Sequence, residues 1–253
     1  MKILSKSEPP AFTQKLSKSN SRFLVVCDHY SNRIPKSLKT LGLSDRQLNS
    51  HIAWDIHISR IANGVVQKMD ANLIFTNYCR LVADYNRSLE DPDVIIAVSD
   101  GVSVEANRNI SKKERDSRIS ELYTCYHNQI EKLIASIEGK GKQPIALSLH
   151  SYCPKLKLET KPRKWHLGSM WGVDGRLSKL FESFCKQKTD FVFGDNLPYS
   201  GKDLADFTID SHFEGRYPYL CLEIRHDVIE KHEAQLVDLI VEFFDKQLKS
   251  KEF

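Results

Sequence analysis

Three apolar runs, each ending on a polar side chain of ligand type, constrain this chain more than any other feature. Phe23-Leu24-Val25-Val26 leads into Cys27-Asp28-His29, Ile145-Ala146-Leu147-Ser148-Leu149 ends at His150, and Tyr219-Leu220-Cys221-Leu222 ends at Glu223. Near-continuous apolar runs are the mark of parallel strands covered on both faces. Open α/β sheets collect their ligand-binding groups beyond the carboxyl ends of such strands. Two imidazoles and a carboxylate are therefore expected along one sheet edge. That inventory suits a metal-dependent hydrolase, in which neutral imidazoles hold Zn²⁺ and a glutamate takes the proton of the attacking water.

Strand-like and helix-like segments alternate through the rest of the chain. Ser44 is placed to cap a short helix. Residues 54–69 carry Ile58, Ile61, Ala62, Val65, Val66 and Met69 at helical spacing. Residues 72–76 read as a strand and 80–85 as a short extended piece. Residues 87–111, rich in Asp, Asn and Ser with Pro92 and Gly101, form a long loop of the kind that is functional or mobile. A long amphipathic helix over 115–137 is closed by Gly139 and Gly141. A helix at 175–186, a strand at 190–193 and a turn at 194–199 follow. The final helix starts near Asp227 and carries Ile229, Leu236, Ile240, Phe243 and Phe244 on one face. The pattern predicts an α/β three-layer sandwich, a mostly parallel mixed sheet covered by helices. One domain over 1–253 is expected, with residues 1–20, which hold lysines and prolines and no apolar run, as a loose arm.

Composition narrows the function classes. Thirty-seven Lys and Arg against 33 Asp and Glu give a formal charge of +4, a mild excess that does not point to nucleic acid. No run approaches the roughly 18–20 apolar residues of a membrane span. Six cysteines without a CxxC pair read as reduced thiols, which fits a cytoplasmic protein.

Five runs together resemble the N-formylglutamate amidohydrolase family. They are Asp28-His29-Tyr30-Ser31-Asn32-Arg33-Ile34-Pro35, His51-Ile52-Ala53-Trp54-Asp55-Ile56, Arg80-Leu81-Val82-Ala83-Asp84-Tyr85-Asn86-Arg87, Gly194-Asp195-Asn196-Leu197-Pro198-Tyr199 and Glu223-Ile224-Arg225-His226-Asp227. They occur in the family's order and reach across residues 22–230. The resemblance implies a phosphorylase/hydrolase-like fold related to zinc carboxypeptidases, with one zinc ion. It also implies a small acidic N-acyl amino acid as substrate, by default N-formyl-L-glutamate cleaved to L-glutamate and formate.

Each candidate residue has a bland reading beside the functional one. His29 and His150 are either buried core histidines or metal ligands, and two at parallel strand ends favour ligands. For the third ligand, zinc carboxypeptidases use a His-x-x-Glu spacing, which places Asn32, a weak neutral donor, after His29. Asp55 is favoured instead, against a role at the start of the following helix. Asn32 then falls to the substrate side. Glu223 lies on an apolar strand, where an unpaired carboxylate is costly; it is read as general base, with Arg225 as its bland partner. Arg80, Arg87 and Arg225 are candidates for gripping substrate carboxylates. Asn86 is a candidate for orienting a backbone group or a substrate carboxylate and Asn196 for lining the cleft, while Asp84 is assigned to partner an arginine. His57 is structural or supporting, and His212 is either a supporting donor or a surface residue. Cys153 lacks the base and orienting partner of a nucleophilic thiol. Two other readings stay open: a carboxypeptidase- or deacylase-like zinc hydrolase with another substrate, and a non-catalytic binding protein kept alive by Asn32.

Overall fold

In the computed structural model, which describes residues 2–202 and 206–245, the chain builds one seven-stranded mixed sheet and a small hairpin. The strands are β1 (Phe12–Lys15), β2 (Phe23–Cys27), β3 (Asn72–Thr76), the hairpin pair β4 (Val98–Ser99) and β5 (Val102–Ser103), β6 (Ile145–Tyr152), β7 (Leu167–Met170), β8 (Phe193–Asp195) and β9 (Tyr219–Arg225). The helices are α1 (Asp45–Leu48), α2 (Ile58–Met69), α3 (Glu105–Arg108), α4 (Lys112–Arg118), α5 (Thr124–Glu138), α6 (Arg176–Lys188), α7 (Phe207–His212) and α8 (His226–Phe243). The sheet order is β1-β3-β2-β6-β9-β7-β8, with β3, β2, β6 and β9 mutually parallel.

Alternation along the buried strands sorts side chains to two cores. Val25 and Cys27 of β2 join Leu147 and Leu149 of β6 and Leu220 and Leu222 of β9 beneath α2, α6 and α8. Leu24 and Val26 face the other way with Ala146, Tyr219 and Cys221, under α5 and α7. The expected helix–sheet–helix sandwich is therefore present. Chain direction across the sheet reverses at β2: the chain moves outward to β3, then returns to β6 on β2's other side. A reversal of this kind opens a crevice beyond the strand ends.

Three expectations are corrected. Residues 1–20 are not a loose arm: β1 pairs antiparallel with β3, Ile3 is buried, and the backbone amides of Ile3 and Leu4 donate to Glu121. Met1 alone of that segment lies outside the described residues. The segment lacks an apolar run because an edge strand of four residues needs only backbone pairing. Residues 80–85 are turns rather than extended chain, although all but Arg80 are buried. Residues 87–111 are not structureless. They fold into a 3₁₀ turn (Pro92–Ile95), the β4–β5 hairpin and α3, pinned by buried Asn107, whose amide donates to the carbonyls of Leu81 and Ile96. The predicted helix over 115–137 is observed as α4 and α5 joined by a π-helical turn at Ile119–Tyr123.

Candidate active site and metal centre

The site is assembled from the ends of three neighbouring parallel strands. His29 follows β2, while His150 on β6 and Glu223 on β9 are direct cross-strand partners. Asp55 reaches the same place from the turn before α2, where its backbone amide donates to the His29 carbonyl at 2.9 Å. It does not cap that helix; the cap position is His57, in the left-handed region at φ 66°. The Asp55 carboxylate instead lies 3.1 Å from His150 Nδ1 through Oδ2 and 3.6 Å from His29 Nδ1 through Oδ1. All three residues are buried, and their ligand-type atoms lie within 4.8 Å of one another.

The remaining ring nitrogens are held from behind. His29 Nε2 donates to Asp84 Oδ1 at 2.7 Å, which fixes the tautomer and leaves the Nδ1 lone pair facing Asp55. His150 Nε2 lies 3.1 Å from Ser148 Oγ. Arg80 Nη2 bridges His29 Nδ1 at 2.5 Å and Asp55 Oδ1 at 2.6 Å. Two imidazole nitrogens and a carboxylate thus converge where a cationic group already sits, so the donor set fits a divalent metal of the zinc type.

The same contacts set the electrostatics of the site. Burial works against the Asp55 carboxylate, but Arg80 and the two histidines outweigh it and hold its pKa well below the usual range. Burial likewise disfavours charge on His150, yet the hydrogen bond its ring donates to the Asp55 carboxylate raises its pKa to about 10. Glu223 moves the other way. Desolvation dominates and pushes its carboxyl up to about 7.

A cleft of about 430 Å³ opens over this centre, lined by the three ligand candidates, Glu223, Arg80, Asn86 and Arg87, with Asp84, Asp91, Met170 and Tyr199 among the other walls. Three assigned residues are not brought to it. Asn32 donates to the Leu48 carbonyl and to Asn49 Oδ1, which removes the ground for a ligand set weakened by an amide. Asn196 Oδ1 accepts from the amides of Trp171 and Gly201 and closes its own loop. Arg225 lines a separate pocket of about 130 Å³, bonded to Asp227 and to the carbonyls of Arg163 and Trp165. Residues two apart on a strand share a face, but β9 ends at Arg225, and its side chain follows the turn into α8. Asp84 partners His29 as well as Arg87. His212 is buried against His127 and Glu131, away from the cleft. Sequence reasoning missed Tyr199 as a wall of the cleft, although it closes one of the five runs. Nothing in the composition of the 155–164 stretch marked Arg163 as buried.

The fold is a mixed α/β sandwich whose strand ends gather a group of side chains that could hold a metal ion. The chain matches the N-formylglutamate amidohydrolase family over residues 21–230 and belongs to it. A gene product of Agrobacterium tumefaciens is similar in structure, with a TM-score of 0.91 at 28% identity over 98% of this chain and 99% of that one. N-formylglutamate amidohydrolase from Ralstonia eutropha JMP134 shares the fold, with a TM-score of 0.74 at 17% identity over 94% of this chain and 98% of that one. A search of curated proteins gives no significant match. None of the described helices is long and apolar enough to cross a membrane.

Proposed function

We propose that the chain is a zinc-dependent amidohydrolase that cleaves the formamide of a small acidic N-acyl amino acid, N-formyl-L-glutamate by default. One observation carries the reading: His29 Nδ1, His150 Nδ1 and the Asp55 carboxylate converge in the cleft that also holds Glu223. These three side chains would hold the ion. When bound, it supplies a Lewis acid beside the scissile carbonyl and acidifies the attacking water. Glu223, with its pKa near 7, takes the proton from the attacking water and returns it to the leaving nitrogen as the C–N bond breaks. Formate and the free amino acid result. Arg87, 38% exposed at the cleft wall, is the cation best placed to meet an incoming carboxylate, in exchange for its bond to Asp91. A cytoplasmic location is supported by six free thiols.

The test is release of free amine from a panel of N-acyl amino acids by zinc-loaded protein. Acidic N-formyl amino acids should be the best substrates. Arg87→Ala should lower their kcat/KM by about ten- to a hundredfold, with much less effect on neutral ones. Equal turnover of formylglutamate and formylleucine would refute the acidic preference.

A further inference from the structure

Tyr199 stands in the cleft wall as a hydroxyl whose hydrogen has no protein acceptor among the described residues. Its oxygen accepts from Arg163 Nη1 at 2.8 Å. A phenol that already accepts from a guanidinium directs its own O–H elsewhere, and a cationic donor on its oxygen makes it the stronger donor. Burial pushes its pKa up to about 12, so it stays protonated at neutral pH. Tyr199 lines the same cleft as the three ligand candidates, Arg80 and Glu223.

The surroundings hold that hydroxyl in one place. Arg163 is itself buried, lies over the rings of Tyr152 and Tyr199 at 5.5 and 5.0 Å, and bonds Glu159 through Nε. Its backbone is tied at both ends, the amide to the Pro154 carbonyl and the carbonyl to Arg225. The Tyr199 loop is seated with equal care. A Cβ at Gly168 would overlap the Leu197 carbonyl, and one at Gly194 would lie 2.6 Å from the same oxygen. Asn196, at φ 52°, then staples the loop to Trp171 and Gly201. Three features that the proposed chemistry leaves unused, Asn196, Arg225 and the two glycines, thus serve one side chain.

We propose that Tyr199 donates a hydrogen bond to the scissile carbonyl oxygen as negative charge builds on it, with Arg163 as the positioning residue that acts through it. The hydrogen stays on the tyrosine, and no bond to the protein forms. The inference rests on the amidohydrolase reading above. A donor aimed at developing charge acts in the transition state, so its loss lowers kcat rather than substrate binding.

The experiment compares wild type, Tyr199→Phe, Arg163→Met, Arg163→Lys and the Tyr199→Phe/Arg163→Met double variant on one N-formyl amino acid, with zinc content and melting temperature measured alongside. Tyr199→Phe should lower kcat by about 10²-fold with KM and zinc content unchanged. The double variant should be no slower than Tyr199→Phe alone, and Arg163→Lys should recover part of what Arg163→Met loses. Unchanged kcat in Tyr199→Phe overturns the proposal, as does a raised KM at constant kcat, which would make Tyr199 a ground-state grip. Multiplicative losses in the double variant would overturn the role of Arg163. Failure of the wild type on every N-acyl amino acid would instead overturn the amidohydrolase reading beneath it.

Discussion

At the scale of single residues, the centre is defined by which nitrogen and which oxygen face inward. Removing a ligand removes both affinity and geometry. His29→Ala and His150→Ala should therefore lose zinc and activity together, and Asp55→Ala should do the same. Glu223→Gln should keep its zinc while kcat falls by about 10²–10⁴-fold. Metal analysis beside turnover separates the two classes, and full zinc content in His150→Ala would contradict the ligand assignment.

A second residue-scale expectation concerns His127, buried between the Tyr85 carbonyl and His212. Burial, aided by the charge of His212, pulls its pKa down to about 3. The unfolded chain, with an ordinary value near 6.5, binds a proton that the folded chain refuses. Its contribution is thus fully present above about pH 6.5 and is lost as pH falls toward 3, by up to about 1.4 kcal/mol per unit. Between pH 7 and 5, denaturant melts of the wild type should lose about 2 kcal/mol more than those of His127→Gln. Parallel losses would contradict it. The meeting of His29, His150 and Glu223 was legible at this scale because each closes or follows an apolar strand. The partners of Asn32 and Arg225 were not, since a side chain's direction after a strand ends depends on the turn that follows.

At the scale of elements, apolar periodicity located β2, β3, β6, β9 and the long helices, where burial on one or two faces writes itself into the sequence. It failed for β1 and for the 80–111 region. An edge strand is held mainly by backbone bonds, and the 80–111 region is organised by a few buried polar groups. Arg118, fully buried, donates to Asn107 Oδ1 and to the Val82 carbonyl, so one guanidinium and one amide order the chain that carries Arg80 and Asp84. The Tyr199 loop is likewise set by backbone proximity that no hydropathy pattern records. Gly168→Ala should force that loop outward at a cost of about 1–3 kcal/mol. It should lower kcat while zinc content stays at the wild-type level, because none of the ligands lies on that loop. Metal loss in proportion to activity would show that the loop supports the centre itself.

At the scale of the whole molecule, the site lies where the sheet's connections reverse between β2 and β6, the place at which a parallel sheet leaves a crevice without cost to its hydrogen bonding. The five sequence runs lie far apart along the chain, yet the ligand candidates and Glu223 come from adjacent strand ends and the turn beside them. That convergence was readable from the three apolar runs; the strand order that produces it was not, since pairing partners leave no local signal. Because the ligand candidates bridge β2, the turn before α2 and β6, a bound ion should also stabilise the fold, by about 4 kcal/mol at a thousandfold excess over its dissociation constant. The central claim is a single zinc centre that hydrolyses a formamide. Its most direct test is formate release from N-formyl-L-glutamate by chelator-stripped protein during a zinc titration. Activity should be absent at the start and rise to a plateau at one equivalent per chain. Full activity in the stripped protein, or none at any zinc level, would contradict the account.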